Sequence, residues 1–169
     1  MRLGALVLVL ASASSILFAG CETVPDRSAK PMRVGTYHAP SLVVAWVRSA
    51  DHARETDALV AARDAALKAG DAEKVAECER KGAAAQDLAH RQLAGEAGIE
   101  DILDRLKVDL PQVMKKAKVE KIASEGEVLA DEVEFVDVTD LLVERFHPDE
   151  TTRKLLAEVR KYPKGVRVH

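Results

Sequence analysis

Large apolar residues fall along this chain in three blocks of very different density. Eight of the sixteen positions from Met32 to Val47 are Val, Leu, Met, Tyr or Trp. From Arg48 to Ala97 only six of fifty qualify: Leu59, Val60, Leu67, Val75, Leu88 and Leu93. From Gly98 to Phe146 the figure rises to twenty in forty-nine. Burial of apolar surface drives folding, so a core has to be assembled from the first and third blocks.

The sparse middle block is nevertheless built from Ala, Glu, Lys, Arg, Gln and Leu, all good helix formers. Its interior break is Ala69-Gly70-Asp71, where Gly can end one helix and Asp can cap the next. This predicts two antiparallel helices, about Ser41–Lys68 and Asp71–Ala94, the first roughly 42 Å long at 1.5 Å per residue. The line Trp46, Ala53, Val60, Leu67 has heptad spacing, but Arg and Asp interrupt the half-steps and the second helix offers mostly Ala. So narrow a stripe cannot make a core of its own, and a slender arm with a packed root and a wet tip is expected. The alternative is that both helices wrap against the rest of the domain, since Ala-rich faces allow close packing.

The apolar blocks must then form a head. Arg33–Tyr37 suits a strand. Ile99–Lys116 has the spacing of an amphipathic helix, bent or broken near Pro111. Val119–Ala123 and Glu127–Ala130 are short strand candidates around Gly126. The stretch EFVDVTDLLVERF, Glu134 to Phe146, changes character halfway. Its first part is β-branched and aromatic and predicts a buried strand with Phe135, Val136 and Val138 inward. Its second part is a helix closing the core through Leu142 and Phe146, with Asp137 or Thr139 placed to cap it. His147-Pro148 ends that helix, and a last one follows at about Asp149–Lys161. The fold class is α+β: a small β-sheet head in which the Val34 and Phe135 segments share a sheet, with the long helical hairpin (arm, about 41–95) inserted between the first strand and the rest.

The N-terminus changes the picture of where this head works. Arg2 is followed by an uncharged apolar run from Leu3 to Phe18, too short for a comfortable membrane span, and then by Ala19-Gly20-Cys21. Small residues directly before a Cys resemble the lipobox of bacterial lipoproteins, with Phe18 where Leu is usual. That resemblance implies cleavage after residue 20 and acylation of Cys21; a plain signal peptide with an incidental Cys is the alternative. Glu22 in second place, rather than the Asp that retains lipoproteins at the inner membrane, points to the outer membrane. Residues 21–32, polar and carrying Pro25 and Pro31, read as a tether, 33–162 as one domain and 163–169 as a tail.

Charge and candidate chemistry narrow the function by exclusion. Lys plus Arg total 25 against 28 Asp plus Glu, with no basic stripe interleaved with aromatics, so nucleic acid is not an expected partner. The two cysteines are Cys21 and Cys78; acylation of the first rules out an internal disulfide and leaves the second as a small packing residue, with a redox role as the alternative. None of His38, His52, His90, His147 and His169 sits in a nucleophile or metalloprotease motif, so no catalytic residues and no cofactor are expected. In a hairpin turning at Gly70, His52 and His90 could face each other, with Asp51 or Glu55 completing a metal site; solvated surface is the plainer reading. Asp131, Glu132, Glu134, Asp137 and Asp140 are acidic enough for Ca²⁺ but lack the spacing and the Gly of an EF-hand.

The strand VGTY leading into a long helical hairpin, then a helix, short strands and the closing FVDVTDLLVERF, resembles the Skp (OmpH-like) periplasmic chaperones over about Met32 to Phe146. The resemblance implies a homotrimer joined through the head sheets, whose arms enclose unfolded outer-membrane or periplasmic proteins without ATP. Leu59, Val60, Leu67, Val75 and Leu88 are then the client-binding candidates on the arm. The chain departs from that family in a shorter arm with eight bases against nine acids over 41–95, and in a lipid anchor. A structural or adaptor lipoprotein of an envelope complex, without chaperone activity, is the competing function.

Overall fold

A computed structural model describes residues 30–124 and 133–162. The signal segment, Cys21, nearly all of the tether, the strand expected at Glu127–Ala130, and Asp131 and Glu132 lie outside the described residues, as does the 163–169 tail. The chain divides into two units after Lys30, and the elements described below all belong to the unit beginning at Pro31.

The protein is α+β, with a three-stranded sheet in the order β2-β1-β3. β1 is Met32–Tyr37, β2 Lys121–Ser124 and β3 Val133–Asp137. Both outer strands run parallel to β1, with Val34 opposite Lys121 on one side and Phe135 on the other. The Val34 and Phe135 segments therefore do share a sheet. A parallel pair needs a long crossover, and the whole helical block from residue 39 to 117 supplies it between β1 and β2. A Cβ at Gly35 would lie 3.1–3.3 Å from side-chain atoms of Val138, Ile122 and Val119, tighter than ordinary contact, so any larger residue there would make these neighbours shift by a few tenths of an ångström.

The expected helix Ser41–Lys68 is two helices, α1 (Ala39–Val47) and α2 (Ala50–Ala69). Ser49 breaks it: in extended conformation, its hydroxyl accepts from the His52 backbone N–H and caps a new helix start. α2 alone, at twenty residues, is about 30 Å long, not 42. α1 belongs to the core rather than to any arm, with Ser41 to Trp46 all buried. Gly70, with φ of 72°, ends α2 in the left-handed conformation, and Asp71 caps α3 (Ala72–Leu93) through the Lys74 N–H.

The predicted 99–116 helix is also two pieces, α4 (Glu100–Leu106) and α5 (Leu110–Ala117). The break precedes Pro111, which sits in the first turn of α5, where its missing N–H costs nothing. Ile102, Leu106 and Val113 face inward. β2 starts two residues later than expected, Val119 being buried ahead of it. α6 (Thr139–Val143) tightens into a 3₁₀ turn over Glu144–Phe146, and His147, with φ of 52°, stops it before Pro148. α7 is Glu150–Val159, capped by Asp149.

The core joins Leu42, Val43, Trp46, Ile102, Leu106, Val138, Leu142 and Phe146 with Leu156 and Val159 of α7. Full burial of each large side chain contributes roughly 1.5–3 kcal/mol, so the head holds most of the stabilising area. Leu142 and Phe146 close the core as expected. Phe135 does not: it is 53% exposed, and Val136 is only partly buried. Alternation decides this, because Val136 shares its face with Gly35 and the core, and Phe135 must then point the other way. Asp137 accepts from the Thr139 N–H, but neither it nor Thr139 holds the N-cap position of α6, which is Val138 and makes no side-chain capping bond.

Candidate functional site

α2 and α3 pack on each other and leave most of both surfaces in solvent; Ala66, Cys78 and Gln92 are their buried residues. Four of the five arm candidates fall into two groups. Leu67, 57% exposed, and Val75 line a shallow cleft of about 290 Å³ beside the Gly70 turn. Leu59 and Val60, the latter 42% exposed, line a second of about 290 Å³ together with Cys78 and Gly82. Leu88 is partly buried and lines neither. Cys78 is a buried free thiol, the packing role expected of it.

Several charges of α2 and α3 pair along their own helices, although Glu79, which lines both clefts, takes part in none of these pairs. Arg63 pairs with Asp64, Arg91 with Asp87, and Glu77 with both Lys74 and Lys81. Hydrogen bonds from Lys81 and then Lys74 bring the Glu77 carboxyl down to about 2, so it stays ionised across the physiological range. What this surface offers a partner is scattered apolar side chains among charged ones, many of them paired.

The root of the helix pair is a different environment. The Arg105 guanidinium stacks 3.8 Å from the centre of the Trp46 ring and grips Glu55 with two hydrogen bonds of 2.7 and 3.2 Å. His52 meets the same ring edge-on at 5.3 Å, and Phe146 lies 5.9 Å away. α1, α2, α4 and the end of α6 are thus fastened at one aromatic side chain. Trp46 was visible in the heptad line, but its partner, 59 residues later in the chain, carried no sequence signal.

Ser41 Oγ and His38 Nδ1 are 2.8 Å apart, the spacing of a nucleophile and its base. Ser41 is fully buried, however, and His38 Nε2 faces the Tyr162 carbonyl at 3.2 Å, so the pair ties the end of β1 to the end of α7. His52 packs on Trp46 while His90 stands exposed, and among the described residues no three His, Cys, Asp or Glu converge on a metal position. Glu134 pairs with Arg33, and Asp137 and Asp140 with Arg160. No helix of the described residues is long and apolar enough to cross a membrane. The chain matches no protein-family model, and comparisons with curated proteins and with solved structures find no match.

Proposed function

We propose that this protein is a membrane-tethered, ATP-independent holding chaperone of the periplasm, a divergent Skp-like homotrimer anchored to the outer membrane through acylated Cys21. In this reading α2 and α3 are a long antiparallel arm projecting from the head, and the clients are unfolded envelope proteins. The observation that carries it is the exposure of Val60 and Leu67, with Leu59 and Val75 beside them, on a helix pair whose surface is mostly in solvent. Unfolded chains present short apolar segments in no fixed geometry, and scattered apolar side chains on a slender arm hold them weakly and without shape selection.

The test is suppression of aggregation. The purified protein should keep an unfolded outer-membrane protein soluble after dilution from denaturant, and Val60→Ser with Leu67→Ser should weaken that holding severalfold at unchanged head stability. A wild type that suppresses no aggregation sinks the reading and leaves the adaptor lipoprotein in its place, with the same clefts seating a folded partner.

A further inference from the structure

The lysines of this protein divide by location. Lys74, Lys81, Lys154 and Lys161 each meet a carboxylate at 2.6–3.0 Å. Lys115, Lys116, Lys118 and Lys121, clustered between α5 and β2, are exposed and meet none among the described residues. Of the described acids nearby, Asp109 pairs with Arg145, Glu120 accepts from the Arg33 backbone N–H and keeps its charge, and Glu144, within electrostatic reach of Lys116, is held by Arg153; Glu125 and Glu127 lie outside the described residues. On α5, Val113 is buried and Leu110, Met114 and Ala117 are partly so, which turns Lys115 and Lys116 away from the core.

The same corner is where the chain enters the head. Parallel pairing puts the beginnings of β1 and β2 side by side. Arg33, the second residue of β1, donates through Nη1 to the carbonyls of Ala117 and Lys118 at 3.3 and 3.0 Å, and its own carbonyl accepts from the Glu120 N–H at 2.8 Å. The first residues of β1 therefore lie beside Lys118 and Lys121. Cys21 stands ten residues before Pro31, a connection that reaches at most about 35 Å when fully extended.

We propose that the Lys115–Lys121 face is a membrane-docking surface that lies on an anionic lipid bilayer. It rests on the reading of Cys21 as the lipid anchor, which keeps this corner of the head within one short tether of headgroups. An anionic surface attracts each nearby lysine by about fivefold in partitioning. The chain as a whole carries a net charge of -3, so only a local patch set against the general charge can do this. Docking would fix the head's orientation and present the opposite end of the molecule to the periplasm.

Binding to vesicles separates this from anchoring. The chain from residue 21 onward carrying Cys21→Ser, so that neither an acyl group nor the Leu3–Phe18 segment contributes, is floated with phosphatidylcholine vesicles with and without phosphatidylglycerol. We expect binding only where phosphatidylglycerol is present, and its loss in 1 M salt, where the screening length falls to ~3 Å. Lys115→Gln, Lys116→Gln and Lys121→Gln together should reduce partitioning on the order of a hundredfold. The equally charged control Lys68→Gln, Lys81→Gln and Lys154→Gln should bind as wild type, and circular dichroism should show all variants folded. Equal binding to both vesicle types, no binding to either, or equal loss in the two triple variants each overturns the proposal. Failure of the anchor itself is read separately, from the mass of Cys21 in the native membrane fraction.

Discussion

Arg105 holds its guanidinium carbon 3.8 Å from the centre of the Trp46 ring, and through Glu55 it also holds the first turns of α2. This is one of the points at which the exposed helix pair is joined to the core; α3 also packs on α1. Trp46→Ala should cost ~3–5 kcal/mol in denaturant unfolding, since it opens a cavity bounded by Phe146. Arg105→Ala should cost about 1–2 kcal/mol and speed amide exchange in the first turns of α2 while leaving α5 and α6 protected. Uniform loss of protection across the head would show that this contact is no local joint.

Phe135 and Phe146 give opposite expectations within one motif. Phe146→Ala should lower stability by ~3–5 kcal/mol, because its ring is buried against Trp46 and Leu142. Phe135→Ser, on the outward face of the edge strand, should change the stability of the isolated chain by about 1 kcal/mol or less. If sheets join the subunits, the same substitution should dissociate the oligomer in light scattering. An oligomer indifferent to Phe135→Ser would place the subunit contact elsewhere.

The docking of α7 should depend on pH. Hydrogen bonding from Arg153 holds the Glu144 carboxyl below its ordinary value of 4.5, and the contacts of Thr152 with the cap hold Asp149 below 3.8. Carboxyls depressed in the folded state stabilise it fully above their unfolded values, and that contribution disappears as pH falls through the folded ones. Melting temperature should therefore be level near neutrality and decline below about pH 4.5. Glu144→Gln with Asp149→Asn, which keeps a capping side chain, should flatten the decline. An unchanged acid limb would mean that these two groups do not set it.

The helix pair can be shortened as a test of its independence. Deleting Ala61–Leu67 together with Lys74–Arg80 removes about two turns from each helix around the Gly70 turn. The head should keep its unfolding midpoint within about 1 kcal/mol, and client holding should fall. Collapse of the head would mean that α2 and α3 are part of its core.

Processing at Cys21 is open to direct measurement. Mass spectrometry of the membrane fraction should find the chain beginning at an acylated Cys21, and Cys21→Ala should release it or stall its maturation. An unmodified Cys21 in a soluble mature form refutes the anchor.

Local chemistry was enough to place several features from the sequence. Gly70 and Asp71 had to form the turn between α2 and α3, because one supplies the left-handed conformation and the other a cap. The contrast between residues 48–97 and their neighbours marked where the core would not be, and Leu142 with Phe146, four apart on a helix, marked part of where it is. Ser49 was legible as a cap in principle, but no Gly or Pro stands beside it to mark a break. The parallel sense of the sheet, the outward turn of Phe135 and the clamp of Arg105 on Trp46 and Glu55 were decided only in three dimensions. A strand sequence has two faces, and it is the register against β1, with Val136 opposite Gly35, that chooses which one meets the core. The lysines of α5 and β2 became a surface for the same reason: parallel pairing brings residue 33 beside residues 117–120, a proximity with no counterpart along the chain.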